Sequence, residues 1–118
     1  MELGFVIMIK GKKLYLPEGK FSPDQLTKED LNKIRKIYLE KTRAKSLSPS
    51  HLQVISLSVQ VQVLHLNDNL IEALPNDLEL LVNLKKLYLQ NNKLAQLTVA
   101  NAIFKLPYLG IYLSFEFH

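Results

Sequence analysis

Apolar residues recur along this chain in a fixed order rather than at the spacing of any one secondary structure. From Val61 the sequence reads VQVLHLNDNLIEAL, and from Leu84, 23 residues later, it reads LKKLYLQNNKLAQL. In both stretches an apolar residue is followed three places on by a Leu-x-Leu triplet. An Asn comes three places after the second Leu, and another apolar residue two places after that. Two looser copies lie upstream. Ile34 opens IRKIYLEKTRA, with Thr42 in the Asn position. Gly11 opens GKKLYLPEGKF, with Gly19 in that position and Phe21 closing the motif. These two copies are also 23 residues apart, whereas Ile34 and Val61 are 27 apart, so that connection is longer by four residues. A fifth, partial copy begins at Leu106 as LPYLGIYLS and places Leu109, Ile111 and Ser114 in register.

The Leu-x-Leu alternation predicts a short strand with one face buried. The second half of each unit predicts a helical return. Phe21-Ser22-Pro23, Leu47-Ser48-Pro49 and Leu74-Pro75 each put Pro directly or one residue after an apolar position. Proline suits the first turn of a helix, and Ser22 and Ser48 are placed to cap it. Apolar residues then follow at helical spacing, as Leu26 and Leu31, Leu52 and Ile55, Leu78 and Leu81. A single amphipathic helix over 23–43 competes with this reading, because Ser22-x-x-Gln25 and Thr27-x-x-Asp30 both read as capping boxes. The 23-residue register favours a helix over roughly 23–33 followed by a strand at 36–39. At the N-terminus, Phe5 to Ile9 reads as a strand and Gly11 as a turn before Leu14, a hairpin that shields one end of the stack.

The motif L-x-x-L-x-L-x-x-N-x-L, matched from Val61 and from Leu84, resembles the leucine-rich repeat family. The resemblance implies a short right-handed α/β solenoid of about four repeats. A parallel sheet lines its concave side, and helical or 3-10 segments form the convex side. No unit can bury its apolar side alone, so stacking is what builds the core. The chain then forms a single domain, residues 1–118. Residues 1–10 are a capping strand, repeats start at about 11, 34, 61 and 84, and 106–118 is an incomplete repeat or an improvised cap. In the family the Asn position is structural, its amide satisfying backbone groups where the chain leaves the strand; Asn69 and Asn92 match it. Thr42 supplies one donor there and Gly19 none. Asn67 and Asn91 fall in variable neighbouring positions and are expected to be exposed. The repeat length and the Leu-Pro-x-x-Leu tail resemble intracellular repeats of signalling scaffolds, phosphatase regulators and ubiquitin-ligase adaptors, which implies protein–protein binding.

The positions between the core leucines are the ones free to vary. The residue inside each L-x-L triplet faces the concave side. It is Tyr15, Tyr38, His65 and Tyr88 in successive repeats. Two places earlier stand Lys13, Lys36, Val63 and Lys86, preceded by Lys12, Arg35, Gln62 and Lys85. Two places later stand Pro17, Glu40, Asn67 and Gln90. A column of three tyrosines and a histidine with a basic column beside it predicts a partner-binding face. The expected contacts are Tyr15, Tyr38, His65, Tyr88, Lys36, Lys86, Asn67 and Gln90. Tyrosine is a frequent interface anchor, although it also fills half-exposed strand positions for its strand propensity alone. The lysines predict an acidic or phosphorylated motif on the partner protein.

Charge sharpens this only locally. Residues 1–50 hold eleven Lys/Arg against six Asp/Glu, and residues 51–118 four against five, for a net +4. That is too balanced for a general nucleic-acid or membrane surface. The most basic window, 33–45 with Arg35, Lys36, Lys41, Arg43 and Lys45, reads better as a solvated face than as a nucleic-acid site. The absence of cysteine rules out disulfides and thiolate chemistry. His51, His65 and His118 stand at no metal-ligand spacing, and no phosphate-binding Gly loop or G-x-S-x-G is present. An acid–base pairing of His65 with Asp68 is outweighed by a solvated His. No enzyme, cofactor or metal site is expected. The apolar run Leu3 to Ile9 is too short to span a bilayer, so a cytoplasmic chain is expected, with nuclear residence compatible. The apolar end KLPYLGIYLSFEFH is unusual for a solenoid cap. Truncation of a longer repeat protein is the preferred explanation. Self-association through an open C-terminal end and a fold-back cap by Phe115 and Phe117 are the alternatives. The function alternatives are a fragment with no independent role and a basic tether to anionic partners.

Overall fold

The computed structural model describes residues 7–17, 21–39, 45–74, 78, 80–93 and 110–112. Six three-residue strands form one sheet in chain order: β1 (Met8–Lys10), β2 (Lys13–Tyr15), β3 (Lys36–Tyr38), β4 (Val63–His65), β5 (Lys86–Tyr88) and β6 (Gly110–Tyr112). β1 is antiparallel to β2 and the remaining pairs are parallel. The sheet is therefore mixed and not purely parallel, because the N-terminal hairpin adds a reversed edge strand. Gly11 makes that hairpin possible with φ of 60°, a left-handed conformation that costs a residue with a Cβ but not glycine.

Each strand is one Leu-x-Leu triplet meeting the next in the same register. Lys13, Lys36, Val63 and Lys86 pair in turn, as do Leu14, Ile37, Leu64 and Leu87. The longer connection between β3 and β4 leaves this register intact. Backbone bonds repeat with it. The carbonyl of Lys12 accepts from Arg35 and Lys36, that of Arg35 from Gln62 and Val63, and that of Gln62 from Lys85 and Lys86. Beyond the strands, Leu16, Leu39 and Leu66 donate to the carbonyls of Tyr38, His65 and Tyr88, each at 2.9 Å. In β6 the register departs from expectation. Leu87 lies opposite Ile111 and Tyr88 opposite Tyr112, so Ile111 takes the first Leu position of the triplet, not the second. The slip is two residues. With a side-chain period of two, such a slip leaves the set of residues on each face of a strand unchanged, which is why periodicity alone did not resolve it.

The returns are short. A 3-10 turn (Pro23–Gln25) and α1 (Lys28–Lys33) replace the continuous helix expected over 23–33. Leu26, between them, is extended. The reason is the second capping site. Asp30 N–H donates to Thr27 Oγ1 and Thr27 N–H to Asp30 Oδ2, both at 3.1 Å, which starts a new helix at Lys28. The same bonds, the Thr27 backbone one foremost, hold the Asp30 carboxyl below its ordinary range. Ser22 makes no side-chain cap bond, contrary to expectation, whereas Ser48 caps α2 (Pro49–Leu57). Arg35, expected in a column on the strand face, turns its guanidinium back to the carbonyls of Asn32 and Ile34.

One core joins strands and returns. Leu14, Leu16, Ile37, Leu39, Leu64, Leu66, Leu87 and Leu89 are buried from the strand side, and Leu31, Val54, Ile55, Leu78 and Leu81 from the return side. Truncating any fully buried leucine to Ala costs about 2–5 kcal/mol. Phe5, Gly19, Glu40, Lys41, Thr42, Arg43, Pro75, Phe104, Phe115, Phe117 and His118 lie outside the described residues.

Candidate protein-binding face

In-register parallel strands bring equivalent residues to within one strand spacing, about 4.8 Å. The residue inside each triplet is aromatic, so the rings meet face to face. Tyr15 and Tyr38 stack with centroids 4.8 Å apart and planes 12° from parallel. Tyr38 and His65 follow at 4.4 Å and 8°, then His65 and Tyr88 at 4.4 Å and 4°. Four rings thus form one ladder across β2 to β5. Each ring is half-buried because its neighbours cover its faces, so edges and polar tips point outward. Each such pair contributes about 0.5–1.5 kcal/mol beyond burial. The hydroxyls of Tyr15 and Tyr38 have no hydrogen-bond partner among the described residues.

Beside the ladder stand Lys13, Lys36 and Lys86, all exposed and in no salt bridge among the described residues. Val63 interrupts them opposite His65. The basic column therefore has a gap at its third position, and two ammonium groups flank that gap one strand away on either side. On the other side of the ladder are Pro17, Asn67 and Gln90, all half-buried. Asn67 was expected to be exposed. Its Nδ2 instead donates to Asp68 Oδ2 at 2.9 Å, and its Oδ1, like Gln90 Oε1, is buried without a partner among the described residues. Asn91 is exposed and donates to Asp68 Oδ1 at 2.7 Å. Asp68 and Asn91 occupy equivalent positions with φ of 61° and 57°, a left-handed turn that short polar side chains tolerate best after glycine. Asp68 is thus part of the turn between strand and return.

Asn69 and Asn92 lie beneath this edge. Asn69 Nδ2 donates to the carbonyls of Leu39 at 2.6 Å, Leu66 at 3.0 Å and Asn67 at 3.3 Å. Asn92 Nδ2 donates to those of Leu66 at 2.8 Å and Leu89 at 3.1 Å, while its Oδ1 accepts from Ile71 N–H at 3.0 Å. Each amide therefore ties its own turn to the preceding unit, and the face above is fixed from below.

His51 was passed over in the sequence and holds a structural post. It is 2 % exposed. Nε2–H donates to the Pro17 carbonyl at 2.9 Å, and Nδ1 accepts from Ser48 N–H at 3.2 Å with Ser48 Oγ 3.0 Å away. Its ring also packs against Phe21, centroids 5.3 Å apart. This arrangement needs a neutral imidazole, and burial pushes the His51 pKa below its ordinary value against the opposing effect of its hydrogen bond to the Pro17 carbonyl. The signal available in sequence was its place three residues after the capping Ser48.

A shallow pocket lined by Lys28, Leu31, Asn32 and Leu57 lies on the return side and brings no set of polar groups together. Among the described residues no cluster of three or more His, Asp or Glu side chains could hold a metal ion, and no helix is long and apolar enough to cross a membrane. No curated protein matches the chain. Residues 59–101 match a family model described as leucine rich repeats (2 copies). That match spans β4 and β5, and β2 and β3 join them with the same register and the same backbone bonding. The two sharpest repeats, within 59–101, are thus similar to those of the leucine-rich repeat family.

Proposed function

We propose that this chain is a non-enzymatic protein-interaction module, a short solenoid that binds a partner protein through its concave face. The observation that supports this reading is the ring ladder Tyr15–Tyr38–His65–Tyr88 with exposed Lys13, Lys36 and Lys86 beside it. Core packing needs the leucines on the opposite face of each strand but not aromatic rings on this one. A pre-stacked column loses little conformational freedom on binding, and ordering costs are a large part of what limits affinity. The lysines favour a partner with an acidic or phosphorylated motif. Scaffold or adaptor work inside the cytoplasm, with the nucleus also accessible, is the setting this reading assigns.

The test is site-specific photo-crosslinking in cells. A crosslinker replacing Val63, in the gap between the lysines, should capture a discrete partner, and one replacing the exposed Gln53 on α2 should not. Tyr38→Ala with Tyr88→Ala should abolish the capture while the circular dichroism spectrum stays unchanged. Capture indifferent to both tyrosines, and lost steeply as salt is raised, would instead identify a basic tether.

A further inference from the structure

We infer that the partner segment is an acidic polyproline II strand that runs along the ring ladder, across the strands, with carboxylates three residues apart bracketing the gap at Val63. This rests on the concave-face reading above and names the occupant of that face. Three features of the structure lead to it: the pitch of the ladder, the interruption of the lysine column and the hydroxyls of Tyr15 and Tyr38.

The ladder is a rigid ruler. Its rings step by 4.8, 4.4 and 4.4 Å, so Tyr38 and Tyr88, flanking His65, lie two steps apart, about 9 Å. A polyproline II helix repeats every three residues and advances about 9.3 Å in doing so. It therefore presents the same side to Tyr38 and to Tyr88. An extended β-strand repeats one face about every 6.7 Å and falls out of step with the rings. An α-helix returns residues to the same face after about 4.5, 6 or 10.5 Å, so it can match one ring step but its residue at about 9 Å has rotated off the face.

Lys36 and Lys86 have the same two-step spacing, and Lys13 continues the column one strand beyond Lys36. Lys36 and Lys86 stand in register with Tyr38 and Tyr88, two residues along their own strands, and Val63 stands between them. A three-sided helix lying on the rings turns its second side to this column and its third side to solvent. Carboxylates at every third residue meet Lys36 and Lys86 in turn, while the apolar Val63 faces the space between them. A partner with evenly dense negative charge would leave a carboxylate over Val63 with no counter-charge.

The hydroxyls complete the fit. Those of Tyr15 and Tyr38 have no partner among the described residues. A polyproline II backbone has no internal hydrogen bonds, so its carbonyls remain available as acceptors. In an α-helix those carbonyls are already engaged.

The experiment compares two peptides of equal composition by calorimetry against the full chain. One is a repeat of Glu-Pro-Pro, and the other has the same glutamates bunched together. The spaced peptide should bind at least tenfold tighter. Lys36→Glu and Lys86→Glu should each weaken it tenfold or more, Lys93→Glu should not, and a Lys-Pro-Pro repeat should bind the Lys36→Glu, Lys86→Glu double variant. Filling the gap with Val63→Lys should erase the preference for spacing. Equal affinity for the two peptides, lost on Tyr38→Ala, would overturn the spaced strand and leave the protein-binding face standing. Equal affinity indifferent to Tyr38 and Lys36 would overturn both. Binding of neither peptide, with crosslinking at position 63 retained, would overturn the acidic polyproline occupant alone.

Discussion

Tyr38 and His65, 27 residues apart in sequence, stack with ring centroids 4.4 Å apart and planes 8° from parallel. Their connection is four residues longer than the one between His65 and Tyr88, yet the two contacts have the same 4.4 Å spacing. The extra length is absorbed in the return, and the strand register, held by the Arg35 and Gln62 carbonyls, is unaffected.

His65 sits between two tyrosine rings, so removing it breaks two stacked pairs. His65→Ala is expected to destabilise the fold by about 2 kcal/mol, from about 0.5–1.5 kcal/mol per lost pair and some lost burial. His65→Tyr continues the column and should stay within about 0.5 kcal/mol of the parent. Urea denaturation midpoints decide it; equal losses for both variants would mean that the ring contacts are not a source of stability.

Asn69 and Asn92 do the same job under different burial. Asn69 is 4 % exposed, and Asn92 is only half-buried. Losing Asn69 strands carbonyls that water cannot reach, whereas water can replace part of what Asn92 supplies. With about 1–3 kcal/mol per stranded group, Asn69→Ala should cost about 2–4 kcal/mol and Asn92→Ala distinctly less. The ordering, measured by chemical denaturation, is the test.

His51 makes stability depend on pH. Its folded-state pKa lies below the ordinary value of 6.5 because burial disfavours the charged ring. The unfolded chain therefore takes up the proton first. The contribution of the neutral ring is complete above the unfolded pKa and is lost as pH falls through the folded one. Stability measured from pH 7 downwards should fall below about pH 6.5. The slope should flatten in His51→Asn, and an unchanged slope would assign the pH dependence to other groups.

Thr27 and Ser22 look alike in sequence, each followed three residues on by a capping partner, and only Thr27 caps. Thr27→Ala should cost about 1 kcal/mol, while Ser22→Ala should remain within about 0.5 kcal/mol. Thermal midpoints for the two variants make the comparison.

The repeats, strands β2 to β5, the leucine core and the column of Tyr15, Tyr38, His65 and Tyr88 were legible in the sequence, whereas β1, expected over Phe5 to Ile9, runs Met8–Lys10. They follow from local patterns: an alternation of period two, an Asn at fixed distance and a proline at each return. Other features needed the folded chain. The face-to-face contact of the rings depends on unequal connections closing into one register. The bond from His51 to Pro17 spans 34 residues. The two-residue slip of the β6 register keeps the strand's period-two parity and so leaves no mark in the apolar pattern. The half-burial of Asn67 follows from a left-handed turn at Asp68. Sequence by itself determined which residues share a slot, since that is a matter of spacing along one chain. Tertiary structure decided which slots touch, since that depends on where connections of different length return each strand.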